Sequence, residues 1–380
     1  MASFLSLITR YDSWESLKSF LTSEEGGKFT IRDCVSEGAS NFAIIRYTRG
    51  VTDFSKFDGA QWFRSVVWDK VKNRPVCVSP QKATEGLPPL DTTLTVEEFA
   101  EGVMINVFGT LDENNEPKYH LASRSQYDAS GTFYSKRSFK ELGKDALGPR
   151  ELSDCVEKPT EAFPSTFQSF VLQHPEHQIV TKFTKPYLVA VQSGKVDTSG
   201  NVFFTHGYAQ KIFVDRLTFT TEKEIWDLIQ TKSLEKGWRW QGLVFKDDKG
   251  NRWRLKNTTF TYLQGLRGND ALSADRFLRL RAAHKITEYL THFAEEKQEF
   301  WDLEQKLRAA TKAVYDAYVS VHKSHEKTLA DIPQPAKTIV FKLHAHYLAN
   351  LRAYKKSIMM KDVVDLVNAL PLWEQKMLLQ

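Results

Sequence analysis

Cysteine is scarce in this sequence. The 380 residues contain three cysteines, Cys34, Cys77 and Cys155, and no two of them have the short spacing of a zinc motif. An odd number of widely spaced cysteines argues against a disulfide framework, which is the pattern of small secreted domains. We therefore expect three buried thiols in a reducing compartment and no structural zinc site.

Long apolar runs are also missing. The first apolar stretch lies in MASFLSLITRYDSWESL and is interrupted by Arg10 and Asp12, unlike the core of a signal peptide. No later run approaches the ~20 apolar residues that span a bilayer. The sequence predicts an intracellular, cytoplasmic protein with no membrane partner. Its net charge of +5 permits a nucleic-acid partner without requiring one.

The common catalytic motifs are absent as well. The sequence has no Walker A pattern, no Gly-x-Gly-x-x-Gly, no Gly-x-Ser-x-Gly and no Cys-x-x-Cys, so most familiar enzyme classes have no sequence support. His174 and His177 in the segment HPEH have the spacing of a metal pair but lack a third ligand, so we expect a loop there. The six histidines of the C-terminal third are expected at the surface.

The patterns that are present predict an α+β protein with two domains. Up to about residue 260, short segments rich in Val, Ile, Phe and Trp alternate with turns, as in antiparallel sheets; they include GVMINVFG, QIVTKF, NVFFTHGY, QGLVFKD and NRWRLKN. Two amphipathic helices, DSWESLKSFLTSEEG and TTEKEIWDLIQTKSLEKG, interrupt them. After Gly268, apolar residues recur every three or four positions and predict four helices. We place a sheet domain at residues 1–265 and a helical domain at residues 266–380.

One segment, residues 95–110, has the form of a catalytic motif. It reads TVEEFAEGVMINVFGT, in which Glu101-Gly102 is followed by a strand-like run. Nucleotide-transferring ligases present a Lys-x-(Asp/Glu)-Gly nucleophile in this way, and Phe99 occupies the position of the lysine. No lysine or arginine lies between Lys82 and Lys118, so a shifted alignment does not supply one.

Further segments occur in the order of a known family. FRSVVWD is similar to an Arg-Gly-hydrophobic element, VSPQK to a Ser-(Arg)-Pro-x-x-Lys element, LASRS to a basic strand and NRWRLKN to a Lys-x-Lys motif. In these features the chain resembles phage RNA ligases of the tRNA-repair type, which are covalent nucleotidyltransferases, and is closer to ligase-like proteins of large double-stranded DNA viruses. The resemblance implies an antiparallel-sheet nucleotidyltransferase domain whose nucleotide phosphates meet Arg64, Lys82, Arg124, Arg254 and Lys256.

The same resemblance indicates which functional groups are missing. Val171, in SFVLQHPEHQIV, stands where the family has an acidic residue for the ribose, and Gln241, in WQGLVFK, stands where it has a glutamate that supports the metal. Phenylalanine has no lone pair with which to form a phosphoramidate, and Mg²⁺ prefers anionic oxygen ligands. We therefore assign no catalytic and no metal-ligating residue, and keep Glu101 and Gln241 among the nucleotide-binding candidates.

Three functions stay open at this stage. The first is an RNA ligase-like pseudoenzyme that binds RNA or nucleotide phosphate, or acts as a virion component or partner of viral or host proteins. The second is an active ATP-dependent RNA ligase with another nucleophile, which would use ATP and Mg²⁺. The third is a purely structural protein, in which Phe99 is a plain core residue and the five cations are solvated strand residues.

Overall fold

A computed structural model of the chain describes residues 2–35, 40–205, 214–248 and 250–380. The chain forms two compact units, Met1–Leu263 and Gln264–Gln380. The first unit combines largely antiparallel sheets with helices, and the second is helical. The predicted α+β class with a helical C-terminal region is confirmed.

The strands of the first unit form three sheets within the described residues. Their bounds are β1 (Ala2–Ser3), β2 (Thr30–Asp33), β3 (Phe42–Arg46), β4 (Ser65–Asp69), β5 (Arg74–Val78), β6 (Thr84–Glu85), β7 (Thr93–Glu98), β8 (Val103–Leu111), β9 (Pro117–Ser123), β10 (Ser165–Gln173), β11 (Tyr187–Val196), β12 (Asn201–Thr205), β13 (Val214–Thr218), β14 (Gly242–Lys246) and β15 (Arg252–Lys256). The sheet orders are β1-β12-β11-β10-β8-β9, β13-β7-β14-β15-β6 and β2-β3-β4-β5. Paired strands are antiparallel, except that β15 and β6 are parallel.

Three of the helices of the first unit begin at polar capping residues. They are α1 (Leu5–Arg10), α2 (Trp14–Thr22), α3 (Phe139–Leu147), α4 (Glu222–Lys236) and α5 (Thr258–Arg267), which continues past Leu263. The side chains of Ser13, Ser138 and Thr221 accept backbone N–H bonds at the starts of α2, α3 and α4. Both helices that the sequence predicts, α2 and α4, are present.

The five-stranded sheet has one apolar and one charged face because side chains alternate along a strand. On the apolar face, residues of β7 and β14 pack against α4; this core contains Leu94, Val96, Leu243, Phe245, Ile225 and Ile229. The residues between them in sequence, among them Glu97 and Lys246, lie on the opposite face. That charged face carries the candidate site.

The prediction of a strand at QIVTKF is wrong. The backbone N–H groups of Val180 and Thr181 donate to the carboxylate of Glu101, at 2.6 and 2.9 Å, instead of to a neighbouring strand. The buried carboxylate of Glu101 thus takes the place of the neighbouring strand that the apolar pattern predicted. Of the predicted segment NVFFTHGY, only β12 lies within the described residues, and residues 206–208 lie outside them.

The second unit consists of short helices around one long helix. These are α6 (Ser273–Ala282), α7 (Ile286–His292), α8 (Lys297–His322), α9 (Ala336–His346), α10 (Met360–Ala369) and α11 (Leu372–Met377). The four predicted helices correspond to α7, α8, α9 and α10. The periodic pattern of the third continues beyond α9 through a π-helical turn, Tyr347–Leu351, and a 3₁₀ turn, Arg352–Tyr354.

A buried ionic network connects the helices of this unit. Arg276 donates to both oxygens of Glu296, at 3.0 and 2.9 Å, and Arg267 donates to the same carboxylate at 2.8 Å. The hydroxyl of Tyr289 donates to Glu296 at 2.8 Å and accepts from Arg267 at 2.6 Å. Burial raises the pKa of Tyr289, so its hydroxyl stays protonated and able to donate. One carboxylate therefore balances two buried guanidinium groups.

Two predictions about single residue types have different outcomes. Cys34, Cys77 and Cys155 are buried free thiols, as predicted. The surface placement of the C-terminal histidines is wrong for His322 and His344, whose rings are partly buried and stack with centroids 3.9 Å apart. Across the described residues, no helix combines the length and apolarity needed to cross a membrane.

Candidate functional site

Strand β15 presents three cations on the charged face of the five-stranded sheet. Arg252 pairs with Lys246, Arg254 with Val244 and Lys256 with Gly242 across the β14–β15 ladder. Because these three positions are two residues apart, their side chains lie on the same face of the sheet. Glu97 pairs with Val244 from the other side and shares that face. The backbone N–H of Asp247 donates to the carbonyl of Asn251 at 3.2 Å, beside the ends of the two strands.

Phe99 lies at the end of β7, against this row of cations. Its backbone N–H donates to the carbonyl of Gly242 at 2.9 Å. The guanidinium carbons of Arg252 and Arg254 each lie 5.9 Å from the centroid of its ring. The position that the resemblance assigns to the nucleophile is therefore inside the charged region, and its side chain is a half-buried hydrocarbon.

Arg64 approaches the same region from the 3₁₀ turn Ala60–Arg64, which precedes β4. Its guanidinium donates to the carbonyl of Pro80 at 3.3 Å. Burial, together with the positive charges of Arg252 and Arg124, lowers the pKa of Arg64 to about 9. Arg252 donates to the carbonyl of Gln81 at 3.4 Å, next in sequence to the Pro80 carbonyl that Arg64 contacts. The two arginines therefore bind the same short segment of backbone, residues 80–81.

Arg124 and Lys82 meet at the ring of Tyr47. Arg124 donates to the Tyr47 hydroxyl at 3.1 Å and lies 5.2 Å from its ring centroid. The Lys82 ammonium lies 5.9 Å from the same ring and 4.3 Å from that of Phe54. The structure thus brings together the five cations selected from the sequence, and it adds Arg252. We call these six residues the cationic cluster: Arg64, Lys82, Arg124, Arg252, Arg254 and Lys256.

Arg252 was missed in the sequence, although a signal for it exists. The segment RWRLK alternates cations with larger apolar residues, so a period of two places Arg252 on the same face as Arg254 and Lys256. Burial lowers the pKa of Arg252 to about 10, an effect that Glu97 opposes and Arg254 reinforces. Burial also lowers the pKa of Lys256, with Arg254 adding to the effect.

Two carboxylates near the cluster are already engaged. Glu85 forms an ion pair with Arg254, which holds the pKa of that carboxyl below its usual value. Glu97 lies 2.7 Å from the ammonium of Lys246, which also donates to the carbonyl of Val191 at 3.1 Å. Burial lowers the pKa of Lys246 despite this partner. Positive charge is therefore in excess around Phe99.

Several donors in this region have no acceptor. Within the described ranges, the buried Nε atoms of Arg252, Arg254 and Arg46 make no hydrogen bond. Arg64, Arg124 and Arg252 form no ion pair with the carboxylates of those ranges. Buried polar groups are nearly always hydrogen-bonded, and guanidinium groups bind anionic oxygens best. The cluster is thus suited to an anion with several oxygens.

Glu101 faces away from solvent and anchors a loop. Its carboxylate accepts from the backbone of Val180 and Thr181, and burial raises its pKa. Gly102 follows at a φ of +146°, where an added Cβ would overlap the carbonyl of Leu172. A structural requirement thus accounts for this Glu-Gly pair.

The pair Gln241-Gly242 has a similar basis. Gly242 has a φ of +138°, and a Cβ there would overlap the carbonyl of Leu255. The side-chain oxygen of Gln241 is buried, and among the described residues no donor reaches it. Val171 is 7% exposed in the middle of β10.

The residues present do not fit a divalent cation at this position. The nearest carboxylates are paired with cations, Gln241 is neutral and Val171 is a hydrocarbon. No group of three or more His, Cys, Asp or Glu side chains in the described ranges is arranged to hold a metal. His174 and His177 close a short turn, and His174 lies 3.2 Å from Asp145.

The crowding of the cluster leads to a stability prediction. Arg252→Met is expected to raise the free energy of unfolding by about 1–2 kcal/mol at low salt, because it removes a half-buried positive charge from like-charged neighbours. Arg216→Met is the control, since Arg216 is an exposed arginine of the same sheet, paired with Asp248. Urea unfolding of both variants measures the difference. A loss of stability in Arg252→Met relative to the control would contradict the excess of positive charge.

Comparison with known proteins gives little beyond this geometry. No family model matches the chain, and no curated protein matches it. A solved structure described as "Archaeal ATP-dependent RNA ligase - form 2" is similar over 82% of this chain and 83% of that one, with 11% identity and a TM-score of 0.41. A similarity this weak carries no conclusion about the function of the chain.

Proposed function

We propose that the chain is an RNA ligase-like protein that binds nucleotide or RNA phosphates at the cationic cluster and does not form a lysyl-adenylate. The single observation behind this proposal is the set of buried guanidinium N–H groups that lack acceptors beside neighbours of like charge. Phosphate oxygens would accept from these groups and offset the repulsion. A purely structural role leaves both features without a reason.

The first experiment tests for adenylation. The purified chain is incubated with α-labelled ATP and Mg²⁺ and run on a denaturing gel. We expect no retained label, because Phe99 cannot attack phosphorus and no divalent-cation site fits beside it. Label that survives denaturation and is released by acid would overturn the proposal in favour of an active ligase.

If the chain were an active ligase, a partly buried lysine would be the best candidate for its nucleophile. Lys246 shares a sheet face with Phe99, and burial favours its neutral, nucleophilic form. Its amine, however, is bonded to Glu97 and to the carbonyl of Val191. If label is retained, Lys246→Arg identifies or excludes this residue as the attachment point.

Phe99→Lys alone is expected not to restore adenylation. The new amine would lie near Arg252 and Arg254 without the acidic groups that hold a metal and the ribose. Every ~1.4 kcal/mol of lost transition-state stabilisation lowers the rate tenfold. The same gel assay measures the variant against an active RNA ligase as positive control. Labelling at the rate of that control would refute this expectation.

The second experiment measures binding. Affinity for single-stranded RNA is determined by filter binding at several salt concentrations, where the log–log slope is about −0.7 per phosphate neutralised. Arg254→Gln with Lys256→Gln is expected to make the slope about 1–2 units shallower, if each cation meets one phosphate. Lys72→Gln with Lys144→Gln is the control, because both lysines are exposed and lie outside the cluster. Parallel slopes for the two variants would end the phosphate-binding proposal.

A role in a virion or in complex with viral or host proteins belongs to the same proposal, since the lost nucleophile leaves a scaffold free for binding. Its test is direct. Affinity capture with the wild-type chain and with the Arg254/Lys256 variant separates partners that need the cluster from those that do not.

A further inference from the structure

The positive charge of the chain is concentrated in one part of the helical unit. Residues 321–361 contain eight Lys and Arg against two Asp and Glu, an excess of six. The whole chain contains 52 and 47, an excess of five. The remaining residues together are therefore close to neutral, and the net charge of the protein belongs to this segment.

The structure places these cations at one end of the unit. The segment covers the last residues of α8, all of α9 and the turns that lead to α10. The ammonium of Lys323 donates to the carbonyl of Ile358 at 2.7 Å, which brings the end of α8 beside the turn before α10. We call the five exposed cations around this contact the basic patch: Lys323, Arg352, Lys355, Lys356 and Lys361.

Local structure accounts for only part of this charge. Lys355 has a φ of +54°, and the N–H of Lys356 donates to the carbonyl of Leu351, so both lie at a helical C-terminus. Cations are favourable there because they complement the helix dipole. The same reasoning covers Lys323, which is the C-cap residue of α8, but not Lys361, which lies in the first turn of α10. No carboxylate of the described ranges forms an ion pair with the basic patch.

An aromatic side chain lies among these cations. Tyr354 is 74% exposed, next to Lys355 and two residues from Arg352. Cations that meet the backbone, together with exposed rings on which bases stack, are typical of proteins that bind single-stranded nucleic acid. Tyr354 has no packing role that would explain a ring at this position.

A membrane surface is a less suitable binding partner for residues 321–361 than a single-stranded nucleic acid. Binding in a bilayer interface requires a helix with a broad apolar face directed outwards. Helix α9 instead uses Ile339, Val340 and Leu343 for the core of its own unit. Phe341 and Leu348 are the large apolar side chains that α9 and the π-helical turn after it leave exposed, and two such residues do not form a broad apolar face.

From these observations we infer that the basic patch is a second binding site, which takes the backbone of a single-stranded nucleic acid while Tyr354 stacks on a base. The inference does not depend on the cationic cluster, because different residues carry it. It assigns the helical unit a binding function that neither the sequence motifs nor the fold describe.

The test uses the full-length chain and a fluorescein-labelled oligouridylate of about 20 nucleotides. The patch variant carries Arg352→Gln, Lys355→Gln, Lys356→Gln and Lys361→Gln. The matched control carries Lys72→Gln, Lys144→Gln, Lys158→Gln and Lys297→Gln, four exposed lysines that form no ion pair with the described residues. Circular dichroism verifies that both variants remain folded.

We expect the patch variant to bind the oligonucleotide about tenfold more weakly near 0.1 M salt. The slope of its log affinity against log salt concentration should be about 2–3 units shallower than that of the control variant. Equal slopes in the patch and control variants would overturn the inference. So would binding of the wild type to phosphatidylserine vesicles but not to the oligonucleotide. An Arg64→Gln/Arg252→Gln variant measured alongside reports on the cationic cluster alone, so the two sites succeed or fail separately.

A crosslinking measurement gives an independent readout. Irradiation of the wild type with a 4-thiouridine oligonucleotide is expected to attach label to Tyr354, identified by mass spectrometry of the peptide. Tyr354→Leu should remove this crosslink and weaken binding about fivefold to tenfold, within the range for loss of one stacked base. Crosslinks confined to the first unit would contradict the inference.

Discussion

Glu296→Gln is expected to destabilise the helical unit by about 3–5 kcal/mol, because it leaves two buried arginines without their shared negative charge. Arg276 loses a bidentate acceptor and Arg267 loses its carboxylate partner. The amide keeps the size of the side chain, so packing changes little. The effect therefore isolates charge rather than volume.

The measurement should report on this unit alone, since a protein of two units need not unfold in one step. Hydrogen exchange of the α6 and α8 amides gives local free energies of opening. Glu295→Gln, a change at the exposed neighbouring residue, is the control. A further substitution, Arg276→Gln in the Glu296→Gln background, should recover part of the loss. Indistinguishable exchange in the Glu296 and Glu295 variants would show that the network contributes little.

Gly102→Ala is expected to cost about 3 kcal/mol or more in the first unit. A φ of +146° is accessible almost only to glycine, and such strain alone costs about 1–3 kcal/mol. The new methyl group would also meet the carbonyl of Leu172 and the Val171 side chain, in the centre of the six-stranded sheet. The backbone cannot move aside here without breaking hydrogen bonds between paired strands.

The control for this change is Gly148→Ala. Gly148 also has a positive φ, +63°, but an added Cβ would meet nothing within 4 Å. Its replacement therefore reports backbone strain alone, about 1–3 kcal/mol. Urea unfolding of the two variants separates strain from overlap. If both lose the same stability, the close approach to Leu172 is not what requires glycine.

The alternation of apolar and polar residues was enough to predict most of the elements. GVMINVFG, QGLVFKD and NRWRLKN form β8, β14 and β15, and the four predicted C-terminal helices are present. The strand predicted at QIVTKF failed because a distant carboxylate, Glu101, takes its backbone donors. A local pattern of apolar residues cannot reveal such an acceptor, because it lies 79 residues away in sequence.

The candidate site could be predicted only in part. Order and residue type selected Arg64, Lys82, Arg124, Arg254 and Lys256, but each taken alone is an ordinary strand or loop cation. Arg252 was overlooked because its importance comes from the ladder with β14 and from burial against like charges.

By itself the sequence determined the class of the fold, the change from strand to helix periodicity after Gly268, and the absence of a lysine at position 99. These are properties of residue type and spacing, and they need no partner. Tertiary structure alone decided that Glu101 anchors a loop, that two arginines share Glu296, and that Arg64 and Arg252 donate to neighbouring carbonyls at residues 80 and 81. The physical reason is that burial and electrostatic repulsion depend on distances between groups, and residues far apart in the chain acquire those distances only when it folds.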